Sequence, residues 1–285
     1  MNPTGSTGLI CLLGSPVSHS ISPAMHNTAF DALGLDYSYM AFDVNQENIV
    51  DAVKGLKTLN CRGFNLTMPL KTAIIPLLDE LDDAANLSHS VNTCVYENGS
   101  LKGYTTDGTG FLQAMVDCNI KYIGKTITVL GAGGAGTSII TQAALDGVDK
   151  INIFKRKNST FESVVDYADK LTKSTNCDIF VYDMADLNLL EFSLQESDIL
   201  INSTNVGMGE VDSSLIPKEF LHQNLTVCDV IYHPPETRLL KDARSAGCKT
   251  MNGKYMLLYQ GAAAFKLWTG KDMPIDLIKT TCFDI

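Results

Sequence analysis

A lysine and an aspartate at the ends of two strands are what proton transfer to and from a substrate oxygen needs, and Lys71 and Asp107 are so placed in the sequence. Lys71 closes the run Asn65-Leu66-Thr67-Met68-Pro69-Leu70-Lys71, which begins at the end of a predicted strand. Asn65 and Thr67 share one face by strand alternation. Pro69 is expected to start a helix, which puts Lys71 in its first turn. There a cation meets the positive end of the helix dipole, a poor place for a lysine that only decorates the surface. Asn92 stands at a strand start, and Thr105-Thr106-Asp107-Gly108 at a strand end before a helix. By residue type alone, Lys71 also reads as a solvated lysine and Asp107 as a helix cap. Ser18-His19-Ser20-Ile21-Ser22-Pro23 follows the first predicted strand, on the edge where open α/β sheets take ligands. Its hydroxyls and free N–H groups suit a carboxylate. Ser22 as a plain N-cap would leave Ser20 unexplained.

A second chemistry is written at Gly131-Ala132-Gly133-Gly134-Ala135-Gly136, where Gly131, Gly133 and Gly136 satisfy G-x-G-x-x-G. The pattern alone is weak. Here it follows the strand Thr126–Leu130 and opens the helix Ala135–Leu145, with another strand at Ile151–Phe154. That context marks a dinucleotide site, in which the backbone approaches pyrophosphate at a helix N-terminus. About 20 residues on, an acidic side chain usually binds the ribose of NAD. This chain has Lys155-Arg156-Lys157-Asn158 there instead. A guanidinium binds a 2′-phosphate bidentately, so the tip favours NADP. Asn158 as a ribose partner keeps NAD open.

The elements that must position these groups fall into two alternating series. The first has strands at Leu9–Leu13, Tyr37–Val44 and Gly63–Leu66. Helices begin at Ser22-Pro23, span Glu47–Leu59, and follow Pro69 through Ile74, Ile75, Leu77 and Leu78. This βαβαβ pattern predicts a mostly parallel sheet. Val91–Tyr96 and Leu101–Tyr104 flank Asn98-Gly99, a hairpin signal. After a helix from Gly108 to Asp117, a second series adds strands at Ile179–Tyr182, Ile199–Asn202, Thr226–Val230 and Lys249–Met251, and a last apolar helix at Met256–Trp268. The fold class is α/β with two domains.

Composition removes other classes. With 285 residues, 45% of them hydrophobic, the chain can bury a core unaided. Its formal net charge of -10 weighs against phosphate-backbone recognition, because nucleic-acid binding leans on Lys and Arg. No like-charge run exceeds Lys155-Arg156-Lys157, too short for a polybasic membrane segment. The eight cysteines form no C-x-x-C pair and the five histidines are scattered, so no metal site is expected. The cysteines read as reduced core thiols. Met1 to Gly8 lacks a basic n-region, and no apolar run approaches the roughly 18 residues of a membrane span. The expected location is the cytoplasm.

Taken in order, Gly14-Ser15-Pro16, Ser20-Ile21-Ser22-Pro23, His26-Asn27, Asn65 to Lys71, Val91-Asn92-Thr93, Gly103 to Gly108, Gly131 to Gly136, Asn202-Ser203-Thr204 with Gly207-Met208, and Gln260-Gly261-Ala262 resemble the shikimate dehydrogenases, including the quinate/shikimate branch. Asp107-Gly108-Thr109-Gly110 and Trp268-Thr269-Gly270-Lys271-Asp272 look closer to that branch. The resemblance implies a substrate domain, residues 1–106 plus 253–285, and a Rossmann-type dinucleotide-binding domain, 107–252. It implies Lys71 as the proton-transfer residue with Asp107 as its partner. Ser20 and Ser22 would hold a substrate carboxylate. Thr67, Asn92, Asp107 and Gln260 would bind ring hydroxyls, with Asn65 and Tyr232 nearby. Gly131, Ala132, Gly133, Gly134, Ala135, Lys155, Arg156, Lys157, Asn158, Asn205, Val230, Tyr232 and Gly253 would line the cofactor site.

The implied reaction is NAD(P)-dependent interconversion of 3-dehydroshikimate and shikimate on the route to chorismate and the aromatic amino acids. The implied partners are that small molecule and the cofactor, without nucleic acid or membrane, in a monomer or homodimer. Two positions depart from the family. Lys155-Arg156-Lys157 keeps the arginine of the usual Asn-Arg-Thr or Asn-Arg-Ser but changes its neighbours, and Lys254-Tyr255-Met256 replaces a second glycine after Gly253. The alternatives are an NAD-dependent quinate dehydrogenase, a two-domain dehydrogenase acting on folate carbons, and a non-catalytic dinucleotide sensor. The folate enzyme has no use for Ser20, Ser22, Lys71 and Asp107 together. The sensor predicts that the lysine or the aspartate is missing.

Overall fold

The computed structural model describes residues 2–209 and 212–283. The chain divides into two compact units, Met1–Thr106 with Leu258–Ile285, and Asp107–Leu257.

The first unit opens with β1 (Gly8–Gly14), α1 (Ser22–Leu33), β2 (Tyr37–Asp43), α2 (Ile49–Thr58) and β3 (Gly63–Leu66). It continues through a 3-10 turn at Ile75–Leu77, β4 (Glu80–Leu81), α3 (Asp83–Ser88), β5 (Thr93–Glu97) and β6 (Ser100–Tyr104). The strands form one sheet in the order β2-β1-β3-β5-β6-β4. β1 runs parallel to both β2 and β3, as the alternation of strand and helix predicts. β5 then pairs antiparallel with β3 and with β6. The β5–β6 turn is Asn98-Gly99, both at positive φ (51° and 83°), the requirement of a two-residue hairpin that follows strand twist. One face of the sheet carries Cys11, Leu13, Phe64, Leu66 and Cys94, packed on Val53 and Leu56 of α2 and on Leu70 and Ile74.

Two local expectations fail in this unit. The segment after Pro69 is a series of turns and a 3-10 turn rather than an α-helix. Leu70 and Ile74 are fully buried, so the apolar spacing is real. Pro76 breaks it: a proline disfavours helical backbone at Ile75 and supplies no N–H of its own. Lys71 therefore faces no α-helix dipole. Ser22 is the first residue of α1 rather than its cap. Ile21 holds the cap position with no side-chain bond, and the Ser22 N–H donates to Ser20 Oγ at 3.2 Å. That local turn satisfies the N–H another way.

The second unit contains α4 (Asp107–Asp117), β7 (Thr126–Leu130), α5 (Gly134–Leu145), β8 (Lys150–Lys155), α6 (Phe161–Ser174), β9 (Asp178–Asp183) and α7 (Leu187–Gln195). It ends with β10 (Ile199–Asn202), β11 (Thr226–Asp229), α8 (Arg238–Ser245), β12 (Lys249–Met251) and the start of α9 (Lys254–Thr269). Every strand pair is parallel, in the order β12-β11-β10-β7-β8-β9. The chain runs outward from β7 to β9, then returns to β10 beside β7. This reversal is the switch point at which a doubly wound sheet opens a ligand crevice above its carboxyl ends.

From Leu258 onward α9 belongs to the first unit, followed by α10 (Ile275–Ile278) and a π turn at Lys279–Phe283. Trp268 is 1% exposed and donates Nε1–H to the Cys94 carbonyl at 3.0 Å, while the Trp268 carbonyl accepts from Arg62 Nε at 2.9 Å. Trp268 thus packs in the core of the first unit and ties α9 to β5. All eight cysteines are free thiols, six of them buried. No helix among the described residues is long and apolar enough to cross a membrane.

Candidate active site

Within the first unit, hydrogen bonds join Asn65, Asn92 and Gln260 in one line, and Ser20 to Ser22 in a local turn. Ser20 Oγ accepts from the Ser22 N–H at 3.2 Å, a local turn at the start of α1. Tyr39 donates to Asn65 Oδ1 at 2.8 Å. Asn65 Nδ2 donates to the Asn92 carbonyl and to Thr93 Oγ1, each at 3.0 Å. Both amide hydrogens of Asn65 are thereby engaged, so it holds Asn92 in place. Asn92 Oδ1 accepts from Thr106 N at 2.8 Å, and Asn92 Nδ2 donates to Thr106 Oγ1 at 3.0 Å and to Gln260 Oε1 at 3.4 Å. The Lys71 carbonyl accepts from Val91 N at 2.9 Å, which sets the lysine backbone beside the Asn92 segment. Thr67 lies just past the end of β3; its N–H donates to the Leu13 carbonyl, and its methyl group fills the space a side chain at Gly14 would need.

Strand geometry explains this convergence. β1 and β3 are adjacent and parallel, so Ser20 and Thr67 leave the sheet at the same edge. β5 runs against β3 and begins at that edge, delivering Asn92, and β6 ends there at Tyr104, delivering Thr105 and Thr106. Gln260 arrives on α9. Asn65 and Asn92 are 5% and 2% exposed, and buried amides must be paired. Sequence reading missed Tyr39. Its alternation in β2 marks it as an inward core residue, and nothing in the local sequence signals that its hydroxyl bonds Asn65. Asp107 opens α4 as the first residue of the second unit, 5% exposed and next in the chain after Thr106.

In the second unit, the glycine turn has the backbone its pattern predicts. Gly131 has φ 90°, a conformation that favours glycine, and a Cβ there would lie 2.7 Å from Thr204 Cγ2. At Gly136 a Cβ would meet Ser203 Oγ at 2.5 Å. Gly133 caps α5 without any side-chain bond, faces open space, and is followed by no acidic residue in the first turn. The N–H groups of Gly134, Ala135 and Gly136 have no acceptor within the helix. These features fit a pyrophosphate.

At the tip of β8, Lys155 Nζ donates to Asn158 Oδ1 at 2.9 Å and to Thr160 Oγ1 at 2.7 Å. Burial, with Arg156 nearby, pulls the Lys155 ammonium below the usual lysine range. Lys157 lies over the Phe161 ring, 5.9 Å from its centroid. Arg156 is exposed, and its guanidinium makes no hydrogen bond or ion pair with the described residues, which leaves it open to an anion. Asn205 and Tyr232 are exposed beyond the ends of β10 and β11. Gly253 is buried, donates its N–H to the Ile231 carbonyl at 3.0 Å, and packs so closely on Val230 that a Cβ would overlap the Val230 carbonyl. The turn, the basic tip, Asn205 and Val230 to Tyr232 thus all lie at carboxyl ends of the parallel strands.

Residues 12–94 match the profile of the shikimate dehydrogenase substrate binding domain, and residues 255–282 that of the shikimate 5'-dehydrogenase C-terminal domain. The chain is 46% identical to a shikimate dehydrogenase (NADP(+)) of Listeria innocua serovar 6a over 98% of this chain and 97% of the relative. The chain belongs to the shikimate dehydrogenase family. Among solved structures it is similar to shikimate 5-dehydrogenase from Listeria monocytogenes in complex with shikimate and NAD, with TM-score 0.96, 45% identity and 99% of each chain covered. It is also similar to quinate dehydrogenase from Corynebacterium glutamicum in complex with NAD, with TM-score 0.86 and 28% identity over 98% of this chain and 99% of that one. Membership in the shikimate dehydrogenase family fits the two-unit α/β architecture and makes the chain an oxidoreductase acting on a CH–OH group.

Proposed function

We infer that this protein catalyses the reversible NADP-dependent reduction of 3-dehydroshikimate to shikimate, with residues 1–106 and the C-terminal helices holding the substrate and the glycine-turn unit holding the cofactor. The observation that supports this reading is the line from Tyr39 through Asn65 and Asn92 to Gln260, at the sheet edge where Ser20 and Thr67 also leave the strands, which gathers hydroxyls and amides suited to a polyhydroxy ring acid.

A nicotinamide held by the glycine-turn unit would supply or accept the hydride. The protein residues do the rest. Ser20 and Ser22 hold the ring carboxylate. Thr67, Asn92, Asp107 and Gln260 orient the ring hydroxyls. Lys71 gives a proton to the oxygen that gains negative charge during ketone reduction and takes it back in the reverse direction. Asp107, joined through the chain to Thr106 and so to Asn92, fixes the reacting hydroxyl and the ammonium. Gly131 to Gly136 hold the pyrophosphate. Arg156 pairs with the 2′-phosphate, and Asn205, Val230 to Tyr232 and Gly253 shape the nicotinamide side.

The same reading places the protein in the cytoplasm, on the route to chorismate and the aromatic amino acids. Mixing it with shikimate and NADP+ should raise absorbance at 340 nm, and a protein that leaves both unchanged would end this assignment. The fold match to a quinate dehydrogenase that carries NAD favours a second reading, a quinate/shikimate enzyme using NAD. It predicts that quinate with NAD+ turns over faster than shikimate with NADP+ in the same cuvette.

A further inference from the structure

Asp229, at the end of β11, is fully buried and accepts three hydrogen bonds: from Asn202 Nδ2 and Ile231 N, each at 3.0 Å, and from Thr237 Oγ1 at 2.7 Å. Burial pushes its carboxyl above the usual carboxylate range, and the three donors oppose that shift. An apolar residue of similar size would sit here without that conflict, so the carboxylate needs a reason.

The reason is visible in where the bonds end. Asn202 Oδ1 accepts from Thr204 N at 3.1 Å and Thr204 Oγ1 at 2.8 Å, and Asn202 Nδ2 also reaches the Val206 carbonyl at 3.3 Å. Thr204 Oγ1 in turn accepts from Val206 N at 3.1 Å. Ser203 Oγ lies against the carbonyls of Leu130 at 2.9 Å and Gly131 at 3.1 Å. Ser203 and Thr204 are also the side chains that a Cβ at Gly136 or Gly131 would strike. Ile231 N sits in the segment that carries Tyr232, and the Ile231 carbonyl takes the Gly253 N–H. The lattice therefore spans the carboxyl ends of β7, β10 and β11, three neighbouring strands at the switch point. Its end points are backbone groups of the loops that carry the glycine turn, Asn205 and Tyr232.

We propose that Asp229 is a positioning residue for cofactor binding: through Asn202 and Thr237 it locks the loops after β7, β10 and β11 into the one arrangement that accepts the dinucleotide. The proposal rests on the reading above that this unit binds NADP. A buried polar network whose members are all paired specifies geometry in a way that apolar packing does not.

The test measures NADP+ affinity by calorimetry, the KM for shikimate at saturating NADP+, and backbone amide exchange. Asp229→Leu removes the acceptor and leaves three donors unpaired. The expected result is a Kd for NADP+ raised about tenfold or more, a KM for shikimate within about twofold, and faster exchange across 203–209 and 230–233. Should that variant fail to fold, the pair Thr237→Val and Thr237→Ser decides. Val removes the bond to Asp229 and should weaken NADP+ severalfold, whereas Ser restores the hydroxyl and should bind as the wild type does. A wild-type protein that binds NADP+ while folded Asp229→Leu keeps the same Kd, or while Val and Ser at 237 behave alike, overturns the proposal. A wild-type protein with no affinity for NADP+ overturns the functional reading instead.

Discussion

His26 shows how a single side chain can be chemically conspicuous without serving chemistry. It is fully buried in α1, stacked on Tyr39 with ring centroids 4.4 Å apart and surrounded by Phe30, Phe265 and Trp268, and neither ring nitrogen has a hydrogen-bond partner among the described residues. Burial pushes its pKa down to about 3 from the usual 6.5. The unfolded chain therefore binds this proton more tightly than the folded one between those values, and stability falls as pH drops from 6.5 toward 3. The slope from this one group approaches about 1.4 kcal/mol per pH unit in that window. Urea denaturation from pH 7 to pH 4 should show it, and His26→Phe should flatten it; an unchanged slope would mean that other groups carry the acid sensitivity. Arg156 makes a prediction of the opposite kind, because it is exposed and without a side-chain partner among the described residues. Arg156→Ala should raise the KM for NADP+ by roughly tenfold, the scale of a lost charge-assisted contact, and leave that for NAD+ nearly unchanged. A preference for NADP+ that survives the change would assign the 2′-phosphate to Lys155 or Lys157. At this scale type and spacing single out Lys71, Asn92 and Arg156, and of these Asn92 is seen bonded to Thr106 and Gln260. Tyr39 escapes because its role depends on which strands are neighbours.

Elements were readable in proportion to the regularity of their pattern. The alternation that predicts β1, β2 and β3, and the glycine turn between β7 and α5, carry their own geometry in residue type. The segment after Pro69 does not. Its apolar residues repeat like a helix and are buried like one, yet Pro76 removes the backbone conformation that would make it one. The glycine turn also separates two jobs that a pattern match conflates. Gly136 packs on Ser203, so Gly136→Ala forces α5 away from β10 and should cost about 1–3 kcal/mol, the range for overpacking a tight contact. Gly133 faces open space at φ -85°, so Gly133→Ala should leave stability nearly unchanged while still weakening NADP+, because its cost appears only when the pyrophosphate approaches. Paired measurements of urea midpoint and NADP+ Kd check both. Equal loss of stability in the two variants would contradict this division.

At the scale of the whole molecule, two α/β units carry different sheet topologies. The mixed sheet of the first collects hydroxyls and amides at one edge from β1, β3, β5 and β6, with Gln260 added by α9, and the fully parallel sheet of the second collects glycines and a basic tip at its carboxyl ends. An overall charge of -10 gives no long-range attraction for an anionic ligand, so any such attraction has to come from local groups. Proton movement by Lys71 during hydride transfer is the central step of the proposed reaction. Rapid-mixing measurement of NADPH formation by Lys71→Ala with saturating shikimate and NADP+ tests this most directly. The rate of the chemical step should fall by about 10²–10⁴, the contribution of a positioned acid–base group, while the Kd for NADP+ stays at its wild-type value. A chemical step that proceeds at the wild-type rate without the lysine would contradict it.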